Sequence, residues 1–198
     1  AEHQRRLQDV FVQLRFGLTL PTAHKTNNDN MFDIDFGRDG SVTVPTGGGL
    51  RLTLGDGVRV GIDVGATFIV RRLREWRLKT SWAQTPYLTL SKGLATKEYG
   101  PDWRFTLYGQ AEARTLGLVF TGAYQFFKHT DSTFYPQDDM MNAKLINSSP
   151  LVDVSESHNV IGAMTFVPVG ATRWRFLPEM TVQVTVPFNG KSVMSGTL

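Results

Sequence analysis

Apolar residues recur at every second position in four long segments, and this period of two constrains the fold more than any other feature of the sequence. The segments run from Val10 to Leu20, from Val58 to Val70, from Phe105 to Ala113 and from Met180 to Phe188. Successive side chains of an extended chain point to opposite faces, so each segment predicts a strand with one apolar and one polar face. No segment of similar length has helical spacing. The sequence therefore predicts an all-β fold.

Strand length and turn placement separate the two kinds of antiparallel sheet that alternate in this way. Strands of soluble proteins average about five or six residues, whereas a tilted strand that crosses a bilayer needs about 9 to 11. The clearest alternating segments reach the longer length. Tight turns at 55–57, 115–117 and 170–172 alternate with long connections, which is typical of outer-membrane barrels. The pattern therefore favours membrane-crossing strands.

A trace of the alternation gives an even number of strands, with every tight turn on the same side. The predicted strands are 9–20, 48–54, 58–71, 103–114, 116–127, 158–168, 174–188 and a last one from 191 onward. We predict a closed, antiparallel, up-and-down transmembrane β-barrel of eight strands, formed by a single domain over 1–198 with a short N-terminal extension at 1–8. Short alternating stretches at 32–44, 76–82 and 87–90 are expected to extend the sheet beyond the membrane. If they cross it, the barrel has 10 or 12 strands.

The composition excludes several classes of protein. The chain of 198 residues is 41% hydrophobic, and no run approaches the roughly 18 apolar residues of a membrane-spanning helix. Cysteine is absent, which excludes disulfides and thiolate chemistry. The net charge of +3 is spread along the chain without a basic run, so we expect no nucleic-acid partner.

Aromatic residues lie at the ends of several predicted strands. Trp103 and the Phe126-Phe127 pair are at long-loop ends, and Trp174 is at a tight-turn end, where aromatic girdles of membrane barrels are found. With the long strands and one-sided turns, the chain resembles the small bacterial outer-membrane β-barrels, of the type of the transmembrane domain of outer-membrane protein A. The resemblance is architectural and covers nearly the whole chain. Barrels of this family typically end on an aromatic residue, whereas this sequence ends in Thr197-Leu198.

The resemblance implies a location in the bacterial outer membrane of a Gram-negative envelope. Membrane lipids and lipopolysaccharide would be its partners. The long loops at 21–47, 72–102 and 128–157 would face outward and could contact an extracellular ligand.

If the apolar face meets lipid, a set of charged side chains points into the barrel. The set comprises Arg15, Arg51, Arg59, Asp63, Arg71, Arg104, Glu112, Arg114, Arg175 and Glu179. An eight-stranded barrel is only wide enough to be filled by side chains, so these charges are predicted to pair and plug the lumen. In a wider barrel a basic lumen would favour anions.

Three classes of function follow from this architecture. The first is a structural or interaction barrel with a charged lumen. The second is a narrow porin-like channel or transporter for small solutes or ions, and the third is a lipid A-modifying enzyme at the outer rim. A soluble binding barrel of the lipocalin type, with its apolar residues inward, is a further alternative.

The enzymatic hypothesis depends on Ser155, Glu156, Ser157 and His158, which join a histidine, a carboxylate and two hydroxyls at the start of a predicted strand. Lipid A deacylase barrels carry a His-x-Ser-Asn arrangement, which is not matched because Asn159 directly follows His158. Glu156 and His158 would share one face and Ser157 would lie on the other. A triad is therefore not supplied locally, and catalysis is not favoured.

No metal or cofactor is predicted. The acidic residues Asp29, Asp33, Asp35 and Asp39 lack the spacing of an EF-hand loop. His3, His24 and His129 are scattered through the sequence without the spacing of a metal site.

Overall fold

The computed structural model describes residues 7–21, 29, 40–55, 57–84, 89, 91–149, 153–166 and 180–191. These residues form two antiparallel sheets, one 3₁₀ turn and one short helix, α1 (Ala143–Ile146). The prediction of an all-β fold is confirmed. Within the described ranges, no helix has the length and apolar character needed to span a membrane.

Ten strands make up the two sheets. In chain order they are β1 (Leu7–Phe16), β2 (Thr43–Leu54), β3 (Val58–Ile69), β4 (Arg72–Leu78), β5 (Ser91–Tyr99), β6 (Asp102–Ala113), β7 (Leu118–His129), β8 (Ser132–Pro136), β9 (Ser155–Phe166) and β10 (Met180–Lys191). The large sheet has seven strands in the order β1-β2-β3-β6-β7-β9-β10, and the small sheet has the order β4-β5-β8. All pairings are antiparallel.

The large sheet is an up-and-down meander, because each of its strands pairs with the next one along the chain once β4, β5 and β8 are set aside. All seven of its strands overlap predicted segments, with ends that differ by up to six residues. β2 begins at Thr43 rather than at 48, because three glycines at 47–49 hide its first half from a pattern that relies on apolar side chains. The predicted strand at 174–188 appears as β10, which starts at Met180.

The described strands of the large sheet do not close into the predicted barrel. β1 and β10 are the two edges, and both are exposed along their whole length. The predicted last strand, from 191 onward, has only Lys191 in the described part of the chain, as the final residue of β10. Of the predicted hairpin at 32–44, residues 32–39 lie outside the described residues, and Thr43 and Val44 belong to β2. The predicted turn at 170–172 also lies outside the described residues.

Two predicted tight turns are present at one end of the large sheet. Gly55 and Gly57 join β2 to β3 with φ values of 55° and 104°, which favour glycine because other residues are strained there. The 3₁₀ turn Arg114–Leu116 and Gly117 join β6 to β7. Three long connections lie at the other end, and two of them contain the strands of the small sheet.

The small sheet contains the main hydrophobic core of the described chain. Trp76, Leu78, Ala95 and Ile146 are buried together, and Tyr99, Phe134 and Met141 pack against them. The predicted stretch at 76–82 overlaps β4 only from Trp76 to Leu78, and β5 begins at Ser91, after the predicted stretch at 87–90. The structure pairs β4 with β5 from Arg72 opposite Lys97 to Leu78 opposite Ser91. The long connections therefore fold into a sheet of their own.

Candidate functional site

The two faces of the large sheet differ sharply in chemistry. Residues opposite each other in antiparallel strands point to the same face, so the registers assign each side chain to one face. One face, here called the apolar face, carries exposed hydrophobic side chains on all seven strands. They include Val10, Val12, Leu14, Phe16, Leu50, Val58, Val64, Phe68, Trp103, Leu107, Phe120, Val160, Met164, Phe166, Met180, Val182, Val184 and Val186. The opposite, polar face carries most of the charged residues.

The polar face is the more enclosed of the two. Leu107 on the apolar face is 52% exposed, whereas the side chain of Asp63 on the polar face is 20% exposed. Burying one large apolar side chain contributes about 1.5 to 3 kcal/mol, and soluble monomers rarely expose apolar patches above a few hundred Å². The large sheet therefore exposes its apolar face and encloses its charged face, the reverse of the usual arrangement in a soluble protein.

An open hollow of about 450 Å³ indents the apolar face. Its lining includes Leu50, Ile62, Val64 and Trp103, around the three glycines of β2. The surroundings are apolar, and no charged side chain lines it.

Asp63 joins two arginines on the polar face. It accepts a hydrogen bond from Arg15 of β1, and its other oxygen lies 3.7 Å from Arg104 of β6. Arg15 reaches β3 only by crossing β2, where Gly47 and Gly49 face it. A Cβ atom on Gly49 would lie 3.1 Å from the Asp63 carboxylate. The glycines of β2 therefore clear the path of this ion-pair cluster.

A second cluster lies nearer the tight-turn end of the polar face. Arg59 makes an ion pair with Glu112 at 2.6 Å and donates a hydrogen bond to Gln110 at 3.3 Å. Gln110 in turn donates to Thr121 on the next strand at 3.5 Å. This chain of contacts links β3, β6 and β7.

The remaining predicted lumen residues take other places. Arg51 lies over the ring of Phe11, with its guanidinium 4.8 Å from the centroid, and Arg71 is exposed between β3 and β4. Arg114 belongs to the 3₁₀ turn, and Arg175 and Glu179 lie outside the described residues. Five of the predicted lumen residues, Arg15, Asp63, Arg104, Arg59 and Glu112, thus form two separate ion-pair clusters.

The close approach at Gly47 gives a testable prediction. A Cβ there would lie 2.8 Å from the Val64 carbonyl oxygen, and a backbone atom cannot move aside cheaply, so Gly47→Ala should lower the free energy of unfolding by about 1 to 3 kcal/mol. Gly122→Ala is the matched control, because nothing lies within 4 Å of an added Cβ there. The measurement is the urea midpoint of unfolding. Equal midpoints for the two variants would contradict the prediction.

The four weak catalytic candidates do not form one site. Ser155 and Ser157 pair with His129 and Phe127 and belong to the polar face, whereas Glu156 and His158 belong to the apolar face. The prediction that Glu156 and His158 share a face opposite Ser157 is confirmed. The strand alternation thus keeps both serines away from His158.

His158 lies instead in an aromatic cluster near the long-loop end of the apolar face. Its Nδ1 makes a 2.7 Å hydrogen bond with the Tyr124 hydroxyl, and its ring centroid is 4.9 Å from that of Phe126 and 5.8 Å from that of Phe188. We call Tyr124, Phe126, His158 and Phe188 the aromatic cluster.

A row of charges follows beyond the aromatic cluster. Lys128 makes an ion pair with Glu156 at 2.7 Å, and Glu156 pairs in register with Lys191. The apolar face therefore ends in aromatic rings and then in ionised groups, as it approaches the long connections.

No family model matches this chain, and neither does any curated protein or solved structure. In the ranges that the structure describes, no group of three or more potential ligands could hold a metal ion.

Sequence reasoning missed one pair of titratable residues. His129 Nδ1 is hydrogen-bonded to Asp102 where β6 and β7 meet the long connections. In the sequence His129 is an isolated histidine, and only the register between β6 and β7 brings the carboxylate beside it. The structure also places Ser155 next to His129 on the other side.

In the small sheet, Lys92 makes an ion pair with Asp29, and the hydrogen bond from Lys92, aided by charge attraction, lowers the pKa of the Asp29 carboxyl. Lys97 lies within about 5 Å of three rings of the same sheet, those of Trp76, Tyr99 and Phe134. Lys92 thus contacts a carboxylate, and Lys97 contacts aromatic rings.

Proposed function

We propose that this chain forms an integral β-barrel of a bacterial outer membrane with a structural or interaction role. The observation that carries the proposal is the large sheet itself, whose apolar face is exposed while its charged face is the more enclosed. A bilayer would supply the apolar surroundings that the exposed face lacks. The barrel would be of the small type to which outer-membrane protein A belongs. Its predicted eighth strand would close it between the edges β1 and β10, which run in the same direction.

Strand length supports this proposal. β1 has 10 residues, and each of the other strands of the large sheet has 12. A tilted bilayer-crossing strand needs about 9 to 11 residues. The strands of the small sheet have 7, 9 and 5 residues, which is closer to the mean of soluble sheets. Every strand of the large sheet therefore reaches the length that a bilayer requires, and only β5 of the small sheet does.

The border of the apolar face also supports the proposal. The aromatic cluster lies near its long-loop end, and Trp103 lies beyond it, level with Lys128, Glu156 and Lys191. Aromatic rings with a polar edge favour the membrane interface, and charged groups belong in the headgroup region. This end would be the outer one, because outer-membrane barrels carry their long loops outside the cell.

The two ion-pair clusters favour a filled lumen. In an eight-stranded barrel the space inside is about the size of the side chains that line it. Arg15, Asp63 and Arg104 already connect three strands of the polar face, and Arg59 with Glu112 connects two. The function of such a barrel would reside in the small sheet outside the membrane.

A narrow channel is the second candidate, and the charged side chains of the polar face favour it. In the strand registers they are four arginines, Arg15, Arg51, Arg59 and Arg104, and four acids, Asp9, Asp63, Asp102 and Glu112. Conductance across planar bilayers separates the candidates, since a filled barrel gives no steady current. Steady ion-selective steps would favour the channel.

The absence of cysteine makes a direct test of the membrane location straightforward. Leu107 on the apolar face and Leu94 in the small sheet are 52% and 49% exposed, so their accessibility in the structure is nearly equal. A fluorophore on Leu107→Cys in lipid vesicles should be quenched by nitroxide-labelled lipid and not by iodide. The same fluorophore on Leu94→Cys should show the reverse. Iodide quenching at both sites would refute the membrane location.

The charge row predicts a contact with anionic headgroups. The double variant Lys128→Gln/Lys191→Gln removes both cations next to the aromatic cluster. It also leaves Glu156 without its ion pair to Lys128. We expect the variant purified in mild detergent to retain several-fold less lipopolysaccharide, because each basic residue near an anionic surface contributes about 1 kcal/mol. Lys79→Gln/Lys144→Gln removes the same charge elsewhere and serves as the control. Equal lipid content in both variants would contradict the prediction.

A further inference from the structure

Three neighbouring strands of the large sheet bring a carboxylate, an imidazole and a hydroxyl into one row. Asp102 of β6 pairs with His129 of β7, and His129 pairs with Ser155 of β9. Opposite residues of an antiparallel sheet share a face, so all three belong to the polar face, at its long-loop end. The spatial order is Asp, His, Ser.

The first contact of this row is formed. His129 Nδ1 is hydrogen-bonded to Asp102 Oδ1, and the Asp102 side chain is only 9% exposed, against 30% for His129. An ionised carboxylate can only accept, so Nδ1 carries the proton and Nε2 of a neutral ring is left as an acceptor. A largely buried acid thus orients a more accessible imidazole, which is the arrangement that activates a nucleophile.

The second contact is within reach. Side chains directly opposite on adjacent strands have Cβ atoms about 4.5 to 5.5 Å apart. Among the described residues no hydrogen bond joins Ser155 to His129, so the contact between the Ser155 hydroxyl and Nε2 would form when substrate binds. Contacts of this kind are often loose before substrate binds.

We propose that Asp102, His129 and Ser155 form a nucleophilic site that hydrolyses carboxylic esters. Ser155 Oγ attacks the carbonyl carbon of the ester while its proton passes to His129 Nε2. The carbon–oxygen bond to the alcohol then breaks, the alcohol leaves with that proton, and the acyl group remains on Ser155. Water attacks the acyl group, gives a proton to Nε2 and releases the acid, and Ser155 recovers its proton. Asp102 acts as a positioning residue.

The site does not require the membrane location, but that location would decide which ester reaches it. The row lies at the same end of the sheet as the long connections, where a lipid ester or a soluble ester could enter. The two sources share the acyl ester chemistry. The experiment therefore uses both.

The test uses the full chain, with p-nitrophenyl butyrate in one arm and phosphatidylglycerol vesicles in the other. A fluorophosphonate probe should label Ser155 in mass spectrometry, and at least one arm should show hydrolysis. Ser155→Ala should abolish labelling and hydrolysis, and His129→Gln should lower both by about 100-fold or more. Ser157→Ala, two residues along the same face but opposite Phe127, should stay within about twofold of the parent.

Asp102 is tested by its conservative variant. Asp102→Asn should lose most of the labelling at Ser155, whereas Asp102→Glu should recover part of it. Circular dichroism checks that both variants are folded. If they are, a merely structural role of Asp102 would not produce this difference in labelling. The inference is overturned if the parent hydrolyses neither ester and the probe leaves Ser155 unlabelled, or if Ser155→Ala keeps the activity. Lipid quenching at Leu107 reports the membrane location separately, so failure of one proposal leaves the other standing.

Discussion

Trp76→Ala is expected to unfold the small sheet while the large sheet keeps its strands. The indole is buried in the small core, makes an edge-to-face contact with Phe134 at 5.5 Å and donates a hydrogen bond to the Ala95 carbonyl at 3.0 Å. Removing a buried tryptophan costs about 3 to 5 kcal/mol. That is a large part of what so small a core can supply.

Limited trypsinolysis measures this effect, because Arg72, Arg77 and Lys92 lie in the strands of the small sheet. Cleavage there should become much faster in Trp76→Ala. Trp82→Ala is the matched control, since Trp82 is 64% exposed and should be cheap to remove. If Trp82→Ala opened the sheet as readily, the buried cluster would not be its core.

Val184→Arg is expected to prevent stable insertion into a bilayer, and its neighbour Gln183→Arg is not. Val184 lies in the middle of β10 on the apolar face, and Gln183 points to the polar face. An arginine on the lipid face at the midplane costs about 2 to 4 kcal/mol, whereas on a surface in water it is nearly neutral. Comparing the two variants therefore shows whether the exposed Val184 side chain meets lipid or water.

The measurement is the fraction that folds into vesicles from urea, followed by the change in electrophoretic mobility of the unheated protein. We expect the folded fraction of Val184→Arg to fall severalfold, with Gln183→Arg close to the parent. A folded and unimpaired Val184→Arg would indicate a face that meets water. In that case the membrane proposal fails.

The alternation of apolar residues predicted part of every strand of the large sheet and the face that most of its side chains take. It placed β3 within two residues of its observed bounds. It did not find the first half of β2, because Gly47, Gly48 and Gly49 have no side chains to alternate. Only the structure shows that the Arg15 side chain passes over these glycines to reach Asp63.

The small sheet was underestimated for a different reason. Its core joins residues far apart in sequence, such as Trp76 and Ile146, and short strands leave a periodic pattern too brief to recognise. Pairing partners across long connections are decided by the tertiary fold, not by local propensity.

The proposed site of Asp102, His129 and Ser155 depends on the pairing register of the strands, which could not be predicted from the sequence. Ser155 and His158 are close in sequence and lie on opposite faces, whereas Ser155 and His129 are far apart in sequence and lie side by side. A shift of one residue in the pairing of β7 with β9 would remove that adjacency. Sequence neighbours therefore pointed to His158, whereas the register places His129 beside Ser155.

The location of the buried core in the small sheet has a thermodynamic consequence. The small sheet holds its apolar side chains against one another, so its cohesion should respond to urea and temperature as in any water-soluble domain. The large sheet, in the proposed location, would owe its cohesion to the thickness and composition of the surrounding lipid. One polypeptide would then have two unfolding transitions that respond to different conditions. Changing the acyl chain length of the vesicles should shift the transition of the large sheet and leave that of the small sheet in place.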